Sequence, residues 1–185
     1  SNPVSCYGSS DGDVSITVIG GTNPYTYTWQ GNLLGTNTPV VSNLTANDYF
    51  VEVSDINGCY SDPQITSVNI SGPSNSLTVS INTVDASCYN FADGQAQVFA
   101  SGGTSPYSYQ WNNGQTSQII TGLVSGTYTC TVTDANGCIN YNVTQLNEPN
   151  EININLTTND ISCFGLNDGN ALVNPSGGSG NGFGV

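Results

Sequence analysis

CYNFADGQAQVFASGGTSPYSYQW, Cys88 to Trp111, rewrites CYGSSDGDVSITVIGGTNPYTYTW, Cys6 to Trp29, 82 residues further along the chain. Both stretches read Cys, four residues, Asp-Gly, a strand-like run, Gly-Gly and Pro-Tyr-x-Tyr-x-Trp. The likeness resumes downstream, where LTANDYFVEVSDINGC (Leu44 to Cys59) matches LVSGTYTCTVTDANGC (Leu123 to Cys138) at an offset of 79. A third copy opens at Cys163 with CFGLNDGNALVNPSGGSGNGF. Self-similarity at a fixed period is the signature of a repeat architecture. The copies divide the chain into residues 1–72, 73–149 and 150–185, the first short of its full opening strand and the third only an N-terminal part. SGPSNS (Ser71 to Ser76) and NEPNE (Asn147 to Glu151) are the short linkers.

Within the second copy, strand-like runs fall at Leu77–Thr83, Gln95–Ala100, Tyr107–Trp111, Ser117–Leu123, Thr127–Thr133 and Ile139–Thr144. Short alternating runs with regular turn punctuation predict an all-β fold of tandem immunoglobulin-like or fibronectin III-like β-sandwich modules. Period-two alternation puts Tyr107, Tyr109 and Trp111 on one strand face, and Tyr25, Tyr27 and Trp29 likewise. Trp29 and Trp111 are the expected core aromatics. Tyr49 and Tyr128 begin the following strand and are expected to fold their hydroxyls back onto the backbone as tyrosine corners. Tyr128, Cys130 and Val132 then face inward like Tyr49, Val51 and Val53, so Cys130 is a small buried hydrophobe in the place of Val51. Asp55-Ile56-Asn57-Gly58 and Asp134-Ala135-Asn136-Gly137 are expected to close tight hairpins through Asn-Gly. The Gly-Gly pairs serve turn geometry.

The chain has no Lys, Arg or His, and its 13 acidic residues give a formal charge of −13. Phosphate neutralisation needs cations, so nucleic acid is excluded as a partner, and an anionic membrane face is disfavoured in the same way. Ser-His dyads, Schiff bases, P-loops and Lys-Asn isopeptide bonds have no residues to form them. No run approaches the ~20 apolar residues of a membrane span, so no membrane insertion is expected. Six Cys in a Gly, Asn, Ser and Thr-rich background suit an oxidising, extracellular setting.

The combination of Cys-x4-Asp-Gly, Gly-Gly-x-x-Pro-Tyr-x-Tyr-x-Trp, Leu-x-x-Gly-x-Tyr and Val-Thr-Asp-x-Asn-Gly-Cys resembles the SprB-type repeat of Bacteroidetes cell-surface proteins. It covers nearly the whole chain. The resemblance implies a gliding-motility adhesin, exported by type IX secretion and displayed at the cell surface as a long, repetitive extracellular filament. The implied role is a non-catalytic, tension-bearing stalk for cell adhesion, with neighbouring repeats and a surface polysaccharide as partners.

Cys6 with Cys59 and Cys88 with Cys138 bracket equivalent spans, and one bridge inside each repeat is the simplest disulfide reading. A loop of that size would stabilise a sandwich by roughly 4 kcal/mol. The alternative follows from immunoglobulin-like strand order: the turn after the first strand and the turn before the last lie at opposite poles, which would bring Cys6 to Cys138 of the next repeat. Asp11, Asp93 and Asp168 recur after the opening Cys, and Asp55 and Asp134 before Asn-Gly. Such loops could supply oxygens to calcium, the one cofactor considered, but Asp-Gly and Asp-x-Asn-Gly are turn formers first. The competing functional reading is a carbohydrate-binding or spacer module of a secreted enzyme, with Tyr25, Tyr27, Tyr107 or Tyr109 stacking on sugar. It requires exposed rings. Catalysis by a carboxylate pair such as Asp11 and Asp13 lacks a cleft, so no enzymatic activity is expected.

Overall fold

The computed structural model describes residues 1–33 and 36–178. It is built from strands, with one 3-10 turn at Gly31–Leu33. The expected tail of the third copy, 179–185, lies outside the described residues. The chain forms two compact units: Ser1–Thr78 with Ala100–Ser108 and Val132–Asn140, and Val79–Phe99 with Tyr109–Thr131 and Tyr141 onward. The second repeat thus contributes strands to both units.

In the first unit, β1 (Gly12–Ser15) pairs antiparallel with β3 (Val40–Leu44), and β2 (Thr26–Trp29), β4 (Asn47–Ser54) and β5 (Tyr60–Ile70) form a sheet in the order β2-β4-β5. Alternation in sequence becomes alternation in burial: Tyr49, Val51 and Val53 point into a core shared with Val4, Val14, Trp29, Val41, Leu44 and Ile70. Trp29 lies opposite Val51 and Tyr27 opposite Val53. The indole Nε1 of Trp29 donates to the Thr38 carbonyl at 3.0 Å, so the buried ring keeps no unpaired N–H.

The second repeat provides β6 (Thr78–Val84), β7 (Gly94–Ser101), β8 (Ser108–Trp111), β9 (Ile119–Leu123), β10 (Gly126–Thr133) and β11 (Ile139–Leu146). They form sheets β6-β7-β9 and β11-β10-β8, the division of strands seen in immunoglobulin-like sandwiches. Each strand expected from the sequence is present, shifted by one or two residues at its ends. Within the second unit Ala96, Val98, Trp111, Ile120, Leu123, Tyr128, Cys130 and Leu146 are buried.

Two details differ from expectation. Gly12 and Gly94 follow their Asp not as turn residues but as close-packing residues. A Cβ on Gly94 would meet Leu146 Cδ1 at 2.7 Å and the Leu123 carbonyl at 2.9 Å, and one on Gly12 would meet Ile70 Cγ2 at 2.7 Å. The Asp-x-Asn-Gly turns are also not two-residue hairpins: only Gly58 (φ 77°) and Gly137 (φ 85°) take positive φ, while the Asn before each does not. The chain makes a wider turn that the Asp carboxylate fastens.

The third copy appears as a hairpin of β12 (Asn150–Asn159) and β13 (Asn170–Gly178). Val173 holds the position that Val98 holds in β7, yet it is 53% exposed against 0% for Val98. The described residues supply this hairpin with no facing sheet.

Candidate functional site: the cysteine-bearing turns

Each opening turn is built the same way. The amides of Ser5, Ser87 and Ser162 donate to Oδ1 of Asp11, Asp93 and Asp168 at 3.0, 2.9 and 3.0 Å, and their hydroxyls donate to Oδ2 of the same carboxylates. Three residues past the Cys the amide closes on its carbonyl: Ser9 on Cys6, Phe91 on Cys88, Leu166 on Cys163. The residue two past each Cys takes positive φ, as Gly8, Asn90 and Gly165, a region Gly enters without penalty and Asn at modest cost. The Ser hydroxyl and then the Ser amide hold all three carboxyls below the ordinary Asp value, because both donate to the ionised form.

The closing turns repeat as faithfully. Asp55 Oδ1 accepts from the amides of Asn57 and Cys59, each at 2.9 Å, and its Oδ2 accepts from Thr22 at 3.0 Å. Asp134 Oδ1 accepts from Asn136 at 2.9 Å and Cys138 at 2.8 Å, and its Oδ2 accepts from Thr104 at 2.8 Å. Asp55 is lowered chiefly by the Cys59 amide. For Asp134, burial pushes upward, and the amides of Thr104, Cys138, Asn136 and Gly137 outweigh it, leaving the carboxyl lowered. Gly103 is fixed by this carboxylate: a Cβ there would sit 2.5 Å from Asp134 Oδ2.

The opening turn of the first repeat meets the closing turn of the second. Cys6 is bonded to Cys138, with Cα atoms 5.8 Å apart and a sequence separation of 132. Asn136 Nδ2 adds a hydrogen bond to the Ser5 carbonyl at 2.9 Å and reaches Thr104 Oγ1 at 3.1 Å. Pairing within each repeat is therefore corrected: neither Cys6 with Cys59 nor Cys88 with Cys138 forms. The reason is visible in the first unit. Asp11 fastens the Cys6 turn where β1 begins, whereas Asp55 fastens the Cys59 turn to Thr22, past the end of the stretch that continues β1. Gly12 to Gly21 at ~3.3 Å per residue spans roughly 30 Å, far beyond disulfide reach.

Cys59, Cys88 and Cys163 are exposed thiols, and Cys130 is a buried one. Burial raises the Cys130 thiol above its usual range, as befits core filler. The five Asp residues weighed for calcium sit in separate turns with both carboxylate oxygens already accepting protein donors. Among the described residues no three metal-ligating side chains cluster.

Both tyrosine corners form, Tyr49 Oη donating to the Thr45 carbonyl and Tyr128 Oη to the Val124 carbonyl, each at 3.0 Å. Tyr25, Tyr27, Tyr107 and Tyr109 are half-buried. Tyr25 and Tyr107 also spend their hydroxyls on the Gly20 and Gly102 carbonyls at 2.7 Å. A sugar-stacking platform needs exposed ring faces, and these four rings are each partly covered, with Tyr25 bordering a groove. A groove of about 550 Å³ beside Ser15–Gly21 and Tyr60–Ser61 lies along the continuation of β1. In the second repeat β6 pairs alongside the equivalent strand, β7.

The SprB repeat family matches residues 1–34, 80–116 and 155–181, just over half of the chain. No curated protein sequence matches. Among solved structures, the amphioxus IgVJ-C2 molecule is similar at 14% identity and a TM-score of 0.32, over 74% of this chain and 96% of that one. A 282-residue C-terminal fragment of intimin, solved with the intimin-binding domain of the translocated intimin receptor, is similar at 16% identity and a TM-score of 0.38, over 80% of this chain and 55% of that one. The three matched segments each contain one Ser-Cys-x4-Asp-Gly turn and the strand that follows it. The chain belongs to the SprB repeat family.

Proposed function

We propose that this chain is a non-catalytic, tension-bearing stalk segment of an extracellular adhesin filament, serving surface adhesion and gliding motility after type IX secretion. One observation carries the reading: the Cys6–Cys138 bond ties one repeat to the next, so a pull along the backbone meets a covalent bypass of 132 residues. A disulfide of this kind persists in an oxidising, extracellular compartment. Strand-built modules with short joints also add reach in proportion to copy number. The uniform negative charge discourages non-specific association between parallel filaments.

Single-molecule pulling on the full chain tests this. With the bond intact, the 132 bypassed residues stay hidden. Reduction should release them, lengthening the fully extended chain by about 450 Å at ~3.4 Å per residue. Unfolding at negligible force in both redox states would contradict the stalk reading.

A further inference from the structure

Cys88 and Cys59 are exposed thiols set in the same two turns that Cys6 and Cys138 occupy when bonded. We infer that each is one half of a further inter-repeat staple: Cys88 receives the closing cysteine of a repeat that follows, and Cys59 the opening cysteine of a repeat that precedes. The linkage runs from repeat n to repeat n+1 at every junction, and this goes beyond the stalk reading because it holds whether or not the filament carries load.

The Cys88 turn is prepared in the same way as its bonded counterpart. Ser87 and Asp93 reproduce the Ser5–Asp11 clasp, and Asn90 takes the positive φ of Gly8. The landing place beside it is also reproduced. At the bonded junction, Tyr7 lines one depression with Asn75, Ser76 and Gly102. The amide of Gly103 donates to the Asn75 carbonyl at 2.9 Å, and the amide of Thr104, the next residue, holds Asp134 of the closing turn. In the second unit, Cys88 and Tyr89 line a depression with Asn150, Glu151 and Gly178. Gly178 pairs with Asn150 as Gly103 does with Asn75. Gly177, like Gly102, approaches the backbone of the strand beside it so closely that a Cβ would overlap a carbonyl, that of Glu151 in one case and of Ser76 in the other. The Gly-Gly turn that seats a closing turn beside Cys6 is therefore already seated beside Cys88.

The closing half is equally prepared. Asp55 presents Cys59 through the same amides by which Asp134 presents Cys138, and Asn57 stands where Asn136 reaches the carbonyl before the opening cysteine. Bond formation joins two thiols with loss of two protons and two electrons. A disulfide donor such as oxidised glutathione or an oxidised thiol–disulfide oxidoreductase accepts them and leaves as two thiols.

The test extends the chain at either end by its own sequence. Residues 1–178 continued by 104–149 complete the third copy, and residues 73–157 placed before Ser1 supply a preceding one. Each is refolded with oxidised glutathione, alkylated, cut with chymotrypsin without reduction and mapped. In the first chain the appended copy of Cys138 should be found bonded to Cys88, with Cys59 and Cys163 alkylated. In the second, Cys59 should be bonded to the prefixed copy of Cys88. The native Cys6–Cys138 bond reports correct folding in both. Alkylated Cys88 or Cys59 in a chain that contains Cys6–Cys138, or a bond from either to its own repeat, would overturn the inference. Substituting Cys88→Ser in the first chain gives a second reading: the appended Cys138 alone should become alkylated, and its remaining protected would equally refute the pairing.

Discussion

Removing the Cys6–Cys138 bond should cost about as much stability as the most damaging single core truncations. In the chain-entropy treatment a cross-link stabilises by restricting the unfolded ensemble in proportion to the logarithm of the loop it closes. A loop of 132 residues gives about 5 kcal/mol, against about 4 for the pairing within a repeat. Each repeat carries one buried tryptophan, Trp29 and Trp111, so urea unfolding followed by fluorescence reads both halves of the loop. At ~1–3 kcal/mol per molar urea, the loss is a combined midpoint shift of roughly 2 M or more. Cys6→Ser, Cys138→Ser and the double variant should lose the same amount, because either change removes the whole cross-link and the pair is therefore non-additive. Cys59→Ser and Cys88→Ser should leave the midpoints where they were. Equal losses at Cys59 and Cys6, or unchanged midpoints in Cys138→Ser, would refute the reasoning.

The corner hydroxyls can be deleted alone: Tyr128→Phe should cost about 1 kcal/mol, and Tyr49→Phe somewhat more because its hydroxyl also meets Thr45 Oγ1 at 3.2 Å, both read from urea midpoints. Cys130→Val, matching Val51 of the first repeat, should be neutral or mildly stabilising, whereas Cys130→Ser buries a hydroxyl and should cost ~1–3 kcal/mol in the same assay. The turn carboxyls of Asp11, Asp55, Asp93, Asp134 and Asp168 lie below the ordinary value of 3.8 in the folded chain. Their contribution is thus fully present above that value and is lost as pH falls through the lower folded values. Urea midpoints should drop on acidification below about pH 4, and Ser5→Ala with Ser87→Ala should flatten that drop.

The strands were legible because their information is local. Val51 and Val53 alternate with Glu52 and Ser54, and Tyr128, Cys130 and Val132 alternate with threonines. A face buried at every second residue needs no knowledge of what covers it. The tyrosine corner is local too, since Tyr49 and Tyr128 reach back only four residues. Gly12 and Gly94 were misread for the opposite reason. An Asp-Gly pair has a turn meaning in sequence, while the contacts that exclude a side chain come from Ile70 and Leu146, far along the chain. The same holds for Asp55 and Asp134, whose partners Thr22 and Thr104 lie 33 and 30 residues away in sequence.

Cysteine pairing depends on non-local geometry most of all, since equal spans inside each repeat invite a bond that the strands forbid. A chain that enters β1 at the Cys6 turn and leaves it toward Thr22 must carry the Asp55 turn to the far end, with Cys59 on it. Only a neighbouring repeat can then return a cysteine to Cys6, and residues 134–138 do so. The consequence is mechanical as well as topological. Under an applied pull, a bond inside one repeat would protect that repeat and leave each linker unprotected, whereas a bond between repeats spans the linker at Ser71–Ser76. Ser5 at the opening turn and Asn136 at the closing turn touch only because the two repeats are consecutive copies. The covalent path is therefore a property of the array, which no isolated module contains.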